Sequence, residues 1–185
     1  MNTQPKLIII SAPSGCGKTT IVKRLLERNK NLIRSISYTT RKPREGEQGG
    51  RDYFFVSEKE FSDKKKQGFF LESASVFSCS YGTSRSFVMD HVSKGINVVL
   101  AIDVQGMKQL HQNCKEIPVV SIFIMPPSIE ILRQRLESRM TETKQQIEDR
   151  LKIAKQEMAE KSLYDHVVVN QEVEQAVQEI EEIIK

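Results

Sequence analysis

The sequence contains no tryptophan and only three cysteines among its 185 residues. Cys16, Cys79 and Cys114 are odd in number, lie far apart and include no CxxC pair. This pattern predicts neither a disulfide framework nor a zinc site. The three histidines also lack metal-ligand spacing and are interpreted as structural. Such sparse cysteine usage is typical of a protein with reduced thiols, so we expect a cytoplasmic location.

Long apolar runs are missing as well. No run approaches the roughly 18 residues of a membrane span, and the N-terminus lacks the basic and apolar regions of a secretory signal. The net charge of +4 is compatible with an ordinary solvated surface or with a small anionic ligand such as a nucleotide. Because there is no long basic block, we expect neither nucleic acid nor a membrane as a partner.

Short apolar strands alternate with helical patterns over much of the chain. The isoleucine-rich run at 7–10 is typical of a strand buried on both faces of a parallel sheet. A glycine-rich loop follows it, and then a helix is predicted from about Lys18 to Arg28. Further strands, each followed by a helical pattern, are predicted at 98–102, 119–124 and 166–169. This alternation predicts an α/β domain with a parallel sheet.

Two segments interrupt the alternation. Residues 34–96 contain strand patterns at 39–40 and 53–56 and a helix start at Ser57-x-x-Glu60, which together predict an inserted α+β lobe. Residues 137–149 are almost entirely polar. Thr143 and Gln146 have the spacing of a capping box for a following helix, whose apolar face would carry Ile147, Leu151, Ala154 and Met158.

A phosphate-binding loop is the strongest signal in the sequence. The pattern G-x-x-x-x-G-K-[ST] is matched, except at its first position, by Ala12, Pro13, Ser14, Gly15, Cys16, Gly17, Lys18 and Thr19. Backbone N–H groups of such a loop bind phosphates, and glycines permit conformations that a Cβ would obstruct. The lysine would neutralise β- and γ-phosphate charge, and the Thr19 hydroxyl would ligate Mg²⁺. With Thr20, this segment predicts an ATP site.

A second anion site is indicated by Arg41-Lys42-Pro43-Arg44. Two arginines three residues apart, held by a proline, form a fork suited to a phosphate dianion. Taken alone, the tetrapeptide is equally compatible with a basic surface turn.

Several further motifs are spread over nearly the whole chain. They are 37–44 with Gly46-Glu47 (Ser-Tyr-Thr-Thr-Arg-Lys-Pro-Arg-x-Gly-Glu), 50–56, 70–72, 81–83, 102–106, 126–128, Arg135 with Arg139, and 169–170. In their sequence and order these motifs resemble those of the guanylate kinase family. The resemblance implies a P-loop nucleoside-monophosphate-kinase fold that transfers phosphate from ATP to GMP or dGMP in purine nucleotide metabolism, with Mg²⁺. It also implies a core of residues 1–33, 97–130 and 151–185, a GMP-binding lobe of 34–96 and a lid of 131–150.

The resemblance assigns roles to individual residues. Lys18, Arg41, Arg139 and Arg150 would be catalytic, with Arg135 near them, and Asn170 would lie near the adenine. The same asparagine would equally suit a turn after a strand. GMP would be held by Ser37, Arg41, Arg44, Tyr53, Glu72, Tyr81, Thr83 and Asp103. A carboxylate at Glu72 suits guanine, since N1–H and N2–H are adjacent donors.

The chain departs from the family pattern at three places. Ala101 stands where an acid is usual, Ser78-Cys79-Ser80 replaces a Gly-Asn-Tyr run, and the second acid often found near Ser75 is absent. Two alternatives to a GMP kinase are a non-catalytic peptide-binding module and a kinase for another nucleoside monophosphate. Lys18, Thr19 and the lid arginines favour an enzyme, and Glu72 with Thr83 favours guanine. We expect a monomer or a weak homodimer.

Overall fold

The computed structural model describes residues 5–76, 78–114, 117–138 and 143–185, without the side chain of His111. In chain order the elements are β1 (Leu7–Ser11), α1 (Lys18–Arg28), β2 (Leu32–Arg34), β3 (Tyr38–Thr39), β4 (Phe54–Phe55), α2 (Glu58–Lys66), β5 (Phe70–Val76), β6 (Cys79–Ser84), α3 (Arg85–Ser93), β7 (Asn97–Ala101), α4 (Val104–Asn113), β8 (Val119–Met125), α5 (Ile129–Glu137), α6 (Lys144–Ala159), a 3-10 turn (Lys161–Leu163), β9 (His166–Val169) and α7 (Val173–Ile184). Within these ranges, no helix combines the length and apolar character needed to cross a membrane.

The main sheet has five strands in the order β2-β7-β1-β8-β9, and every pair in it is parallel. Successive residues of β1 point to opposite faces. Ile8 and Ile10 accordingly pack in one apolar cluster with α1, α5, α6 and α7, whereas Leu7 and Ile9 pack in another with α3 and α4. Helices therefore cover both faces of the sheet, and the predicted α/β fold class is confirmed.

A smaller sheet is inserted between β2 and β7. Its strand order is β4-β3-β6-β5, with β3 and β4 parallel and the other pairs antiparallel. Stacking of Phe61 on Phe70, with ring centroids 4.5 Å apart, holds α2 against this sheet. Leu71 of β5 and Val88 of α3 are buried in the same cluster as Leu7 and Ile9. This inserted part of the chain therefore packs directly onto the main sheet.

Helix α6 starts as the sequence predicts. The Thr143 hydroxyl accepts from the Gln146 backbone N–H, and the Gln146 side chain accepts from the Thr143 N–H, which completes the capping box. Ile147, Leu151 and Ala154 are buried on one face of this helix. The helix runs across the predicted end of the lid at residue 150, and Arg139 lies outside the described residues. The proposed boundaries of core, lobe and lid remain predictions.

Candidate active site

A cavity of about 320 Å³ lies at the carboxyl ends of strands in the main sheet. Ala12 follows β1, Arg34 ends β2 and Ala101 ends β7. Ligands of open parallel sheets bind at this edge. The cavity is lined by Ala12, Pro13, Ser14, Gly15, Gly17, Lys18, Thr19, Thr20, Val22, Arg34, Ser37, Arg44, Tyr53, Glu72, Ala74, Val76, Tyr81, Ala101, Ile102, Asp103, Arg150 and Glu157. It therefore joins the predicted phosphate loop to residues of the inserted lobe.

The loop between β1 and α1 has the backbone that its glycines allow. Gly15 and Gly17 have φ values of +97° and +85°, in the region that favours glycine. Ser78 is the one non-glycine residue with positive φ in the described ranges, so Ala12 occupies a conformation open to alanine. The first turn of α1 carries the exposed residues Thr19 and Thr20. Its N–H groups have no partners within the helix and are suited to phosphate.

Lys18 is one of the cations that line this cavity. Its Nζ donates to the carbonyl of Ile102 at 3.1 Å. Burial lowers the pKa of Lys18, and the positive charge of Arg34 lowers it further. The carboxylates of Asp103 and Glu157 oppose this lowering. These two carboxylates therefore do not fully offset the cost of burying the ammonium charge. An anionic phosphate placed in the cavity would stabilise that charge.

Asn170 contacts the phosphate loop through its side chain. Its Nδ2 donates to the Cys16 carbonyl at 2.8 Å, and its side chain is buried. A Cβ added to Gly17 would lie 2.6 Å from the same nitrogen. The structure thus places Asn170 against the loop and outside the cavity lining, and it also buries the Cys16 side chain completely.

Glu72 and Thr83 form the most buried polar pair of the site. Glu72 is 4% exposed, and the Thr83 hydroxyl donates to its Oε1 at 2.6 Å. Burial raises the pKa of Glu72 to about 7, although the Thr83 hydrogen bond acts to lower it. A Cβ on Gly106 would lie 2.6 Å from Glu72 Oε2. The carboxylate is therefore confined on one side by a hydroxyl and on the other by a glycine of α4.

Most of the predicted acceptor-phosphate residues line the cavity. Arg44, Tyr53 and Tyr81 do so, and the two tyrosine rings have centroids 6.0 Å apart. Arg41 does not line it, because its guanidinium pairs with the Glu47 carboxylate at 2.8 Å and 3.0 Å. This hydrogen bond raises the pKa of Arg41 and lowers that of Glu47.

The arginines of the predicted lid region differ in their contacts. Arg150 of α6 donates from Nη1 to the Ser14 hydroxyl at 2.5 Å and lines the cavity. Arg135 of α5 instead donates to the carbonyl of Asn170 at 3.0 Å. The structure therefore brings Arg150 to the phosphate loop, whereas Arg135 ties α5 to the segment after β9.

Two charged residues of the cavity were not among the residues predicted from the sequence. Glu157 lies on α6 seven residues after Arg150, a spacing that returns to the same helix face. Burial raises the pKa of Glu157 to about 7. Arg34 is the last residue of β2. For Glu157, the signal in the sequence was its i, i+7 spacing from Arg150. For Arg34, the signal was its position at the carboxyl end of a parallel strand.

Comparison with known proteins agrees with this geometry. A sequence model of the guanylate kinase family matches residues 4–185. The chain is 49% identical over 178 residues to a guanylate kinase from Wolbachia sp. subsp. Brugia malayi, covering 96% of this chain and 91% of that protein. It is 48% identical over 178 residues to a guanylate kinase from Clostridium tetani, covering 96% and 84%.

A solved structure has the same fold. The crystal structure of guanylate kinase from Anaplasma phagocytophilum superposes with a TM-score of 0.83 at 38% identity, and the match covers 98% of this chain and 85% of that one. The match includes the parallel sheet with helices on both faces, which is the P-loop nucleoside-monophosphate-kinase fold. The chain belongs to the guanylate kinase family.

Proposed function

We propose that this protein transfers the γ-phosphoryl group of ATP to GMP, and also to dGMP, giving ADP and the nucleoside diphosphate. The observation that carries the proposal is the position of the Glu72 carboxylate in the same cavity as the phosphate loop. Its two oxygens can accept from N1–H and N2–H of guanine. Adenine presents a different edge and would leave a buried carboxylate unpaired, which is a large penalty.

The chemistry needs no general base. The acceptor is a phosphate monoester, largely dianionic at pH 7 because its second pKa is about 6. The protein has to align two anions and stabilise charge on the transferring phosphoryl group. Lys18 would act on the donor phosphates, and Arg44, Tyr53 and Tyr81 would hold the acceptor phosphate. Arg41 would join them if its guanidinium contacted phosphate as well as Glu47.

Two lid arginines complete the proposed machinery. Arg150, at the loop hydroxyl of Ser14, would contact the transferring group, and so would Arg139, which lies outside the described residues. Asn170 would hold the donor site indirectly through the loop. The binding partners are the two nucleotides. A cytoplasmic monomer or weak homodimer, without nucleic acid, remains the prediction from the sequence.

The residues present fit a magnesium ion held mainly by substrate. In the described ranges, no group of three or more His, Cys, Asp or Glu side chains is placed to bind a metal. Mg²⁺ commonly keeps several waters and is bound through one or two protein ligands together with substrate phosphates. The exposed Thr19 hydroxyl at the start of α1 would be such a ligand. When bound, the ion would neutralise charge on the β- and γ-phosphates.

A coupled assay of ATP with GMP, dGMP, AMP, CMP and UMP tests the proposal. We expect turnover with GMP and dGMP and at least about 100-fold lower kcat/KM with the others, because each lacks the donor pair for Glu72. Turnover of another nucleotide in preference to GMP would indicate a different monophosphate kinase. Turnover of none would indicate a binding module.

Two variants connect the activity to this cavity. Arg150→Met removes a cavity cation, and we expect kcat to fall by about 100-fold or more. Arg133→Met is the matched control, because Arg133 lies on α5 and pairs with Glu148 at the surface. A similar loss in both variants, with thermal unfolding unchanged, would contradict the assignment of Arg150.

A further inference from the structure

Arg34 lines the cavity that contains both proposed phosphate sites. It ends β2, which pairs with β7 through the register Arg34↔Val99. The residue lines the cavity together with Lys18 on the donor side and with Tyr53 on the acceptor side. Its guanidinium carbon lies 5.9 Å from the centroid of the Tyr53 ring, and that of Arg41 lies 5.3 Å from the same centroid. Two guanidinium groups therefore flank one tyrosine of the acceptor site.

The hydrogen bonds of Arg34 leave donors available. Its Nη2 donates to the carbonyl of Asp52 at 3.2 Å. Its Nε is buried and has no hydrogen-bond partner in the described part of the chain. A guanidinium is permanently charged and carries five N–H donors in a planar fork. The protein encloses Nε, but among the described residues the Nη2–Asp52 bond is the one hydrogen bond that this guanidinium donates, so its other terminal N–H groups are available to a ligand in the cavity.

The charges near Arg34 also leave it available to an anion. Among the residues that the structure describes, no carboxylate forms an ion pair with it. The Asp52 carboxylate accepts instead from Gln48 N–H and from Arg51. Position 101, at the end of the neighbouring strand β7, is an alanine and supplies no charge. The positive charge of Arg34 is strong enough at Lys18 to lower the pKa of that lysine.

We propose that Arg34 binds the phosphate of the acceptor nucleotide, in addition to Arg44, Tyr53 and Tyr81. This inference rests on the proposed function. A guanidinium can contact a phosphate through two parallel N–H groups, and such charge-assisted hydrogen bonds are among the strongest in proteins. Because Arg34 shares the cavity with Lys18, its charge would also reduce the repulsion between the acceptor phosphate and the donor phosphates. The Asp52 carbonyl and the Tyr53 ring hold the guanidinium in place for this role.

Titration calorimetry with GMP and with guanosine tests the assignment. Arg34→Gln keeps hydrogen-bonding capacity and removes the charge. We expect it to weaken GMP binding by about tenfold or more and to leave guanosine binding unchanged, because guanosine has no phosphate. Arg34→Lys keeps the positive charge but lacks the planar fork of a guanidinium. We expect its affinity for GMP to lie between those of the wild type and Arg34→Gln. Arg51→Gln, at an exposed arginine of the same lobe, is the matched control and should resemble wild type.

The outcomes separate this inference from the proposed function. If the wild-type protein does not bind GMP or turn it over, the proposed function fails. If the wild type binds GMP and Arg34→Gln binds it equally well, only the role of Arg34 is overturned. If Arg34→Gln weakened the binding of GMP and of guanosine equally, the role of Arg34 would also be overturned. That result would indicate that Arg34 supports the structure of the lobe and does not contact the phosphate. Thermal unfolding of each variant identifies loss of fold, in which case Arg34→Lys decides between these outcomes.

Discussion

The side-chain amide of Asn170, at the end of β9, donates a 2.8 Å hydrogen bond to the backbone carbonyl of Cys16 in the phosphate loop. The bond joins positions 154 residues apart in sequence and is buried. Gly17 leaves room for it, because a Cβ there would lie 2.6 Å from the Asn170 nitrogen. The conformation of the loop is thus set from the last strand of the sheet as well as by its own glycines.

Asn170→Ala is expected to weaken ATP binding several-fold. It removes the buried donor to the Cys16 carbonyl and should lower the free energy of unfolding by about 1–3 kcal/mol. Calorimetry with ATP and chemical denaturation measure the two effects. Asn29→Ala is the matched control, because Asn29 donates to the carbonyl of Leu25 at the other end of α1. It should lose stability while keeping its ATP affinity. Equal ATP affinity in both variants would refute the role of Asn170.

Gly106→Ala is expected to raise the KM for GMP about tenfold or more, with little change in ATP binding. The new Cβ would lie 2.6 Å from Glu72 Oε2, so the carboxylate has to move away from its Thr83 hydrogen bond. Alanine improves helix propensity in α4 by up to about 1 kcal/mol. The unfolding temperature should therefore fall little, which distinguishes a displaced specificity residue from a destabilised helix.

Gly49→Ala is the control for this prediction. Gly49 belongs to the same lobe and does not have a positive φ, and no atom lies within 4 Å of the point that an added Cβ would occupy. The KM of this variant for GMP should equal that of the wild type. If Gly106→Ala also equalled the wild type, the confinement of Glu72 by this glycine would be unimportant for GMP binding.

The sequence predicts four of the five strands of the main sheet, because each of the four is a short run of mostly apolar residues; β2 was not predicted. β9 covers His166–Val169 and α1 covers Lys18–Arg28, as the apolar patterns indicate. The hairpin of β5 and β6 was not predicted. These two strands contain the polar residues Glu72, Ser73 and Ser80. They therefore lack the regular alternation of apolar and polar residues that identifies a strand in a sequence.

The same reasoning explains which site residues could be predicted. The phosphate loop and the Arg41–Arg44 segment are local sequence patterns, so the sequence reveals them. Arg34 and Glu157 are single charged residues, and only the folding of β2 and α6 against the cavity gives them a role. Asn170 contacts the loop through one tertiary hydrogen bond, for which the local sequence contains no signal.

Guanosine binding is expected to weaken about tenfold between pH 8 and pH 6. The pKa of Glu72 is raised by burial to about 7, and the protonated carboxyl can no longer accept from both guanine N–H groups. Guanosine is the ligand of choice because it lacks a phosphate, whose second pKa of about 6 would add its own pH dependence to GMP binding. Calorimetry across this pH range measures the effect.

Thr83→Val provides the check on this assignment. The Thr83 hydroxyl donates to Glu72 and acts to lower its pKa, so its removal should move the midpoint to higher pH. The stability of the ligand-free protein should also depend on pH through the titration of Glu72. Because the folded pKa lies above the ordinary value of 4.5, Glu72 makes the folded state lose stability as pH rises from about 4.5 to 7. A midpoint that stays constant in Thr83→Val would assign the titration to another group.

Glu157→Gln is expected to increase the affinity for metal-free ATP. The Glu157 carboxylate lines the cavity and interacts electrostatically with Lys18 and Asp103, so it repels phosphate oxygens when ionised. Because burial raises its pKa to about 7, the effect should be clear at pH 8 and small at pH 5.5. Mg²⁺ offsets phosphate charge, so the variant should gain less for MgATP than for ATP alone.

The matched control for this last prediction is Glu160→Gln. Glu160 directly follows the last residue of α6, and its carboxylate pairs with Lys108 at 3.0 Å, away from the cavity. Both variants remove one negative charge, so any general effect of net charge appears equally in each. Calorimetry with ATP and with MgATP at pH 8 should separate them. If Glu157→Gln and Glu160→Gln bound metal-free ATP equally, Glu157 would not act on the phosphate site.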